Sequence, residues 1–561
     1  MSTGDRWRTV WRVWPWLAAV ATGVAAALAI PPCDQTWLCW LALIPLSFAV
    51  WFSGKNSPRR FWRDLALGYV AGLTFFWISF FWLTTVTGLG WFVLEFYMAM
   101  YFAVWAWCCG MVRPRSRGPH GADKWSRMLA DAEPESAPGA SPWLRSGRNL
   151  AAATFLAATW SALEWVRGWM FSGFGWNGLG VSLHALWPII QIAEYTGVPG
   201  VSFVVAFANI ILATTARRLW EEARTHAMRP HYDLTLSMAG LMAIFTVGIN
   251  LAHTQPGPRN LKIALIQAAV PQEDKFDLRN KQIIFEKFIH LTEIALSTIS
   301  NCDLMVWPES SMPAPVLGDR ETFDFVNRLS VSHHVDILLG AIDENRDGAF
   351  NAALLFAPPL PVQAYHKVHL VPFGEYIPFR YSFPLFAMIV GQQVPGDFDK
   401  GRDCTVFQLS RNRARVAPLV CFEDTLGELT RRFVLGGAEL LVNVTNDGWF
   451  LRSVASRQQL ANAIFRCVET RRPMVRAANT GVTCFVNDAG RVTEILRDDR
   501  GSIFEEGTLV GTVNLPAVPK ITFYTRHGEL FAQVCTAFAL LVIGVRTASV
   551  FWQRRKHRPG Q

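Results

Sequence analysis

The alternation of basic and uncharged loops between apolar runs constrains this chain more than any other feature. Apolar runs cover 13–30, 37–52, 65–83, 91–112, 150–169, 198–216, 234–249 and 530–545. A helix of about 20 residues covers about 30 Å of hydrocarbon. These runs therefore predict eight transmembrane helices, some of them short. The N-terminus holds Arg6, Arg8 and Arg12, and the loop after the second run holds Lys55, Arg59, Arg60 and Arg63. The loop after the fourth holds Arg113, Arg115, Arg117, Lys124, Arg127, Arg145 and Arg148, and the loop after the sixth holds Arg217, Arg218, Arg224 and Arg229. Arg554, Arg555, Lys556 and Arg558 close the chain, while the loops at 84–90 and 171–186 carry no Lys, Arg, Asp or Glu. Lys and Arg accumulate on the cytoplasmic side of a membrane. The pattern predicts both termini inside. Buried helices of a soluble protein would not alternate in this way along the whole chain.

Composition agrees. Hydrophobic residues make up 51% of the 561 and charged residues 17%, more apolar than a wholly water-soluble enzyme requires. A net charge of +9 would elsewhere suggest nucleic acid. Here the Arg clusters lie on one side of a membrane and orient it, so no nucleic-acid partner is expected. Small residues near 25–29 resemble a signal-peptide cleavage region. More apolar runs follow at once, so an uncleaved first helix is expected. The segment 113–149 is rich in Pro, Gly, Ser, Ala and charge, which predicts a flexible cytoplasmic insertion. Residues 546–561 read as a basic cytoplasmic tail.

Seven spans in 1–253 and an eighth at 530–545 leave a soluble domain at 260–515, outside the cytoplasm. Pro-containing linkers at 254–259 and 516–519 bound it. Strands are expected at 261–267, 304–308, 337–342, 352–356, 416–420, 440–444 and 482–486, and helices at 282–297, 323–332 and 456–469. That alternation predicts an α/β or layered α+β domain. None of the ten cysteines forms a CxxC pair or a metal-binding spacing. Five fall in this domain (Cys302, Cys404, Cys421, Cys467, Cys484), an odd number that allows a free thiol.

Three strand ends carry chemistry. One apolar run stops at Glu309; a second segment sets Lys367 and Glu375 among apolar residues; a third strand ends at Cys421, followed by Glu423 and Asp424. Strand ends of a layered sheet commonly assemble a site. A thiol is a nucleophile only as thiolate, so it needs a base or a cation nearby. Glu309 can take the proton, and Lys367 can lower the thiol pKa and hold an oxyanion. The Phe422 N–H, next after the thiol, can be a second oxyanion donor. Taken singly, each residue also reads blandly: Cys421 as core, Glu309 as a cap, Lys367 as a solvated charge.

Together they form a pattern. Trp307, Pro308, Glu309 and Ser310 come first, then His366 and Lys367 through Gly374, Glu375 and Tyr376. Val420 to Glu423 and Asn443 to Phe450 follow in order. This set closely resembles the carbon–nitrogen hydrolase (nitrilase) superfamily, and with the membrane pattern it resembles the polytopic apolipoprotein N-acyltransferase family of bacterial inner membranes. Glu164 to Gly168, Gly173 to Trp176, Arg476 to Gly481 and Thr522 to Gly528 agree with that family as well. The resemblance implies an α-β-β-α sandwich of nitrilase type on the periplasmic side of the membrane. It implies Glu309 as general base, Lys367 as oxyanion-stabilising cation and Cys421 as nucleophile. Glu375 would support Lys367, Glu423 would be an active-site acid, and Trp449 would line a substrate pocket. The implied reaction moves an acyl chain from a phospholipid, sn-1 of phosphatidylethanolamine being expected, through a Cys thioester. The acceptor would be the α-amine of a diacylglyceryl-cysteine at a lipoprotein N-terminus. No metal or cofactor and a monomeric state are expected. The chain departs from the family at Phe422, where Tyr is frequent, and at Phe276, where Trp is common.

The apolar stretch 380–390 predicts either a core element or a lid dipping into the outer leaflet through Phe386 and Ile389. Two rival functions stand against the implied one, the first of them using the same triad. One is a tethered amidase acting on a small amide. The other is a transporter or receptor, with Glu95 and Glu164 inside spans as path residues and Arg167 pairing with Glu164.

Overall fold

The computed structural model describes residues 3–53, 59–113, 141–226, 228–253, 257–372, 374–377, 397–516 and 518–556. They divide into two compact units, Met1–Asn250 with Glu529–Gln561, and Leu251–Gly528.

The first unit is helical. Its longer helices are Thr3–Leu28, Arg60–Ser79, Gly88–Met111, Pro142–Arg167, Val198–Thr225, Tyr232–Ala252 and Leu530–Lys556. Among the described residues, four segments are long and apolar enough to cross a membrane: Gly88–Met111, Val198–Thr225, Tyr232–Ala252 and Leu530–Ser549. The run expected as the second span holds a 3-10 turn, Thr36–Trp40, and a nine-residue helix, Ile44–Phe52. Pro45 sits in the first turn of that helix, where its missing N–H costs nothing. Helices Arg60–Ser79 and Gly88–Met111 approach closely because Gly68 and Gly72 face the second helix. A Cβ on Gly68 would lie 2.4 Å from the Phe102 carbonyl oxygen. Small residues allow backbones that close an approach.

Several polar residues depart from expectation. Arg113, expected as a loop charge, is buried and donates to both carboxylate oxygens of Asp64 at 2.8 and 3.0 Å. Arg218 likewise pairs with buried Asp233 at 2.9 Å. Among the described residues no hydrogen-bonded ion pair joins Glu164 to Arg167. Glu164 Oε1 accepts from Trp160 Nε1 at 2.7 Å and from the Leu179 N–H at 2.6 Å, and Arg167 donates to the Trp176 carbonyl at 2.9 Å. Of the expected insertion, residues 114–140 lie outside the described residues, while 142–149 are the opening turns of Pro142–Arg167. A Pro at the first turn starts that helix inside a polar-looking stretch.

The second unit holds two six-stranded sheets. The first has β1 (Arg259–Gln267), β2 (Leu304–Trp307), β3 (Asp336–Asn345), β4 (Gly348–Phe356), β5 (Gln363–His366) and β12 (Gly507–Leu515), in the order β12-β1-β2-β3-β4-β5. The second has β6 (Phe407–Gln408), β7 (Arg415–Val420), β8 (Leu440–Thr445), β9 (Met474–Ala478), β10 (Cys484–Val486) and β11 (Val492–Ile495), in the order β11-β10-β9-β8-β7-β6. Each sheet has three parallel central strands, β1-β2-β3 and β7-β8-β9, with antiparallel strands outside. The sheets meet face to face through β1, β2, β3 and β4 against β7, β8 and β9. Lys281–Thr298 and Arg320–His333 cover the first sheet, and their Phe285, Phe288 and Phe325 join Trp307 in one core. Gly427–Leu435 and Ala455–Thr470 pack beside the second. This is an α-β-β-α sandwich. The unit runs past the expected boundary at 515, because Tyr524 and Thr525 of the short helix Phe523–His527 are buried and Arg431 donates to the Thr525 carbonyl at 2.8 Å.

Candidate active site

The central strands are parallel, so their C-terminal ends gather at one edge. β2 delivers Glu309, β7 delivers Cys421 and β8 delivers Asn446; Lys367 follows directly on β5. The Glu309 turn packs against Gly340 of β3. A Cβ there would lie 2.4 Å from the Glu309 Cα, so only glycine admits this approach.

Glu309 is 5% exposed. Its Oε1 accepts from Asn351 Nδ2 at 2.7 Å, and the same nitrogen donates to Glu375 Oε1 at 2.6 Å. Its Oε2 has no hydrogen-bond partner among the described residues. Burial raises the Glu309 carboxyl above its ordinary value, Lys367 opposes this and Glu375 adds to it. Lys367 is 1% exposed and its Nζ donates to Glu375 Oε1 at 2.8 Å. The Val371 N–H donates to the other Glu375 oxygen at 2.8 Å. Burial works against the Lys367 charge, but Glu375, Cys421, Glu309 and Glu423 together push its pKa above the usual lysine value.

Cys421 opens a 3-10 turn, Cys421–Thr425, with φ +55°, in the left-handed region that L residues seldom adopt. Asn443 Nδ2 and Gln459 Nε2 hold its carbonyl at 2.7 and 3.1 Å. Burial raises its thiol well above the ordinary value, Glu309 adds to this and Lys367 opposes it. Phe422 follows in the first turn of the 3-10 helix, where leading N–H groups lack intrahelical partners.

Glu423 is wholly buried and is a clamp. Its Oε1 accepts from the Val368 and His369 N–H groups at 2.9 and 3.0 Å, and its Oε2 from the Val420 N–H at 3.0 Å. The Tyr365 hydroxyl reaches both oxygens. The carboxyl therefore ties the Lys367 loop to the residue before Cys421. Burial pushes it up to about 7, opposed by Lys367 and the N–H donors.

Matching family models divide along the same lines as the structure. Residues 22–211 match the apolipoprotein N-acyltransferase N-terminal domain, and residues 262–521 match carbon–nitrogen hydrolase. A Geobacter metallireducens protein named apolipoprotein N-acyltransferase is 32% identical over 543 residues, 94% of each chain. The chain belongs to the apolipoprotein N-acyltransferase family. Proteins of that name from Shewanella oneidensis and Chlorobaculum tepidum are each 26% identical, over 94% of both chains and over 95% and 97% respectively.

In this apolipoprotein N-acyltransferase family member, Glu309, Lys367, Cys421, Glu375 and Glu423 come together at one edge of the sandwich. Trp449, on the 3-10 turn Asp447–Phe450, is 47% exposed. Phe386 and Ile389, with the expected lid, lie outside the described residues. Among the described residues no cluster of His, Cys, Asp and Glu is arranged to hold a metal.

Sequence reading missed several residues here. Asn351 is the lone polar side chain among the buried positions of β4, a signal that was available. Tyr365 lay beside the Lys367 motif unassigned. Lys275 lies on the segment that follows β1, and its Nζ donates to the Glu309 carbonyl at 2.7 Å. Arg476, wholly buried on β9, binds Asp447 through both terminal nitrogens at 3.2 Å and reaches Asp424 at 3.4 Å.

Proposed function

We propose that this protein transfers an acyl chain from a phospholipid, with sn-1 of phosphatidylethanolamine as donor, to the α-amine of the diacylglyceryl-cysteine at a lipoprotein N-terminus. The observation that carries the proposal is the Cys421 elbow, within electrostatic reach of both Glu309 and Lys367, with one Glu309 oxygen unpartnered among the described residues. The name borne by its relatives supports the lipoprotein acceptor.

The chemistry follows from the side chains. Glu309 takes the Cys421 proton as the sulfur attacks the ester carbonyl, which makes up for a thiol that burial keeps protonated. The oxyanion faces the Lys367 ammonium and the Phe422 N–H. The ester C–O bond breaks, the proton on Glu309 passes to the departing lysophospholipid oxygen, and a thioester remains. The lipoprotein amine then attacks the thioester carbon and Glu309 accepts the amine proton. The C–S bond breaks, the amide forms and the proton returns to sulfur. Glu375 holds Lys367 in place, and Trp449 flanks the acyl path. No cofactor takes part in this scheme.

The charge pattern supports eight spans, both termini in the cytoplasm of a bacterial inner membrane, and the sandwich on the periplasmic side. Both substrates are lipids of that leaflet. A site in bulk water would have to draw an acyl chain out at about 0.8 kcal/mol per CH₂. One copy of the chain carries every group invoked, so a monomer is the proposed state.

The test is mass spectrometry of the purified protein after exposure to phospholipid. An acyl mass on the Cys421 peptide, absent in Cys421→Ala, is expected, with lysophospholipid released. Full transfer by Cys421→Ala would sink the proposal, and ammonia released from small amides without acyl transfer would favour an amidase.

A further inference from the structure

Lys275 lies on the segment after β1, and that segment is clamped to the ends of β8 and β9. The Ala269 N–H donates to the Asn479 carbonyl at 2.7 Å. Asn479 Nδ2 donates to the Val270 carbonyl at 2.8 Å, and its Oδ1 accepts from the Val270 N–H at 3.2 Å. Asn446 Nδ2 donates to Gln272 Oε1 at 2.7 Å. The Lys275 side chain is 1% exposed, and its single hydrogen bond among the described residues goes to the Glu309 main-chain oxygen at 2.7 Å. An ammonium has three donors, and among the described residues one of them is engaged. A buried ammonium without a carboxylate in hydrogen-bond contact is costly. In a core, a Leu or Met would fill this volume without that cost.

The neighbouring charges explain the ammonium. Glu309, Glu375, Glu423, Lys367 and Cys421 are the titratable groups of this site. Glu423 is satisfied by N–H and O–H donors, and Lys367 is engaged with Glu375. Lys367 therefore offsets the charge of Glu309 and of a developing Cys421 thiolate while its ammonium is hydrogen-bonded to Glu375. Lys275 lies within electrostatic reach of both. We propose that Lys275 is a second cation of this active site, a positioning residue that fixes the Glu309 turn through its carbonyl and stabilises negative charge on Cys421. Burial works against the Lys275 charge, while Glu309 and Cys421 favour it.

The proposal rests on Cys421 as the nucleophile, and the experiment separates the two. Full-length protein in detergent is alkylated with iodoacetamide across a pH range, and the Cys421 peptide is quantified by mass spectrometry. Lys275→Met keeps the bulk and removes the charge; Lys275→Arg keeps the charge. Loss of a nearby cation raises a thiol pKa by about 1 unit or more, so Lys275→Met should move the Cys421 midpoint upward by about that much and slow alkylation at pH 7 about 10-fold. Lys275→Arg should stay at or below the wild-type midpoint. A Lys275→Met profile that superimposes on wild type overturns the proposal. If Lys275→Met does not accumulate folded, Lys275→Arg decides: an upward midpoint overturns the proposal, and an unchanged or lower one supports it. Acyl transfer surviving in Cys421→Ala would instead remove the nucleophile assignment, and the proposal with it, whatever the alkylation profiles show.

Discussion

Glu423→Gln is the sharpest test of how this site is held. The carboxyl accepts from three backbone N–H groups and one phenol, and it offers two acceptor oxygens to do so. Gln has the same shape but only one acceptor oxygen. If that oxygen faces Val368 and His369, the amide NH₂ faces the Val420 N–H, donor against donor. If the amide is flipped, two N–H groups are orphaned instead of one. The first arrangement is the cheaper and leaves one buried N–H unsatisfied, about 1–3 kcal/mol. Val420 precedes Cys421, and Val368 follows Lys367. The loss therefore loosens nucleophile and cation relative to each other. About 2 kcal/mol corresponds to roughly a 30-fold loss in the rate of acyl-enzyme formation if it falls entirely on the transition state. Single-turnover acylation in mixed micelles, followed by mass on the Cys421 peptide, measures it. A lowered thermal unfolding midpoint in the same detergent measures the part that falls on the fold. The pH dependence supplies a second readout. The folded carboxyl sits at about 7, above the ordinary 4.5. Its contribution to stability is therefore full below about 4.5 and is lost as pH rises through about 7. Gln has no such proton, so the stability advantage of wild type over Glu423→Gln should shrink from pH 5 to pH 8. Wild-type acylation and an unchanged midpoint in Glu423→Gln would refute the clamp. A rate loss with no change in stability would show that the carboxyl acts on the substrate instead.

Gly340→Ala should drive its Cβ into the Glu309 turn, 2.4 Å from Cα. Overpacking of this kind costs about 1–3 kcal/mol, and acylation should fall while Cys421 alkylation persists. Asn351→Leu removes the shared donor between Glu309 and Glu375. With the carboxylates less screened, the Glu309 pKa should rise further, moving the ascending limb of the acylation pH profile to higher pH; an unmoved limb would separate Asn351 from the base. Arg113→Met leaves Asp64 buried without its ion-pair partner in the helical unit. Breaking a buried pair costs about 3–5 kcal/mol, which should appear as a lower unfolding midpoint or reduced accumulation.

Much of this was legible in the sequence, for reasons that differ by element. Strands β2, β7 and β8 are short, apolar and end in polar residues, so both the strands and Glu309 and Cys421 stand out. β9 was missed because Arg476 stands in its middle. A charge in a five-residue strand reads as exposed until Asp424 and Asp447 are seen to surround it. β12, Gly507–Leu515, opens with glycine and pairs only along β1 at the sheet edge, so its apolar signal is diluted. In the helical unit the apolar runs all contain helix. Proline and 3-10 turns divide the run at 37–52 in a way that hydropathy does not register. Arg113 looked like a topology charge because the sequence does not show that Asp64 is its neighbour. Lys275 went unnoticed for the same reason. It lies among polar residues in sequence, and only the clamp from Asn446 and Asn479 turns it inward.

Beneath Cys421 lies a network whose purpose is position. Gln459 donates to the Cys421 carbonyl and to Asp424 Oδ1 at 3.0 Å, Asp424 meets Arg476, and Arg476 meets Asp447. All three charged residues are wholly or almost wholly buried. Buried ionic groups of this kind are frequently no more stabilising than apolar residues of the same volume. Stability alone therefore does not explain them. A left-handed φ at a non-glycine residue costs about 1–3 kcal/mol and persists only where its surroundings over-determine it. Cys421 is such a residue, and its carbonyl is caught from two sides by amides, one of which the network orients. Replacing Gln459 with Leu should free one side of that carbonyl. The Cys421 turn would then relax toward ordinary φ and carry the sulfur away from Glu309. The rate of acylation should drop more steeply than the unfolding midpoint. A parallel fall in both would mean that the network serves the fold and the elbow stands without it.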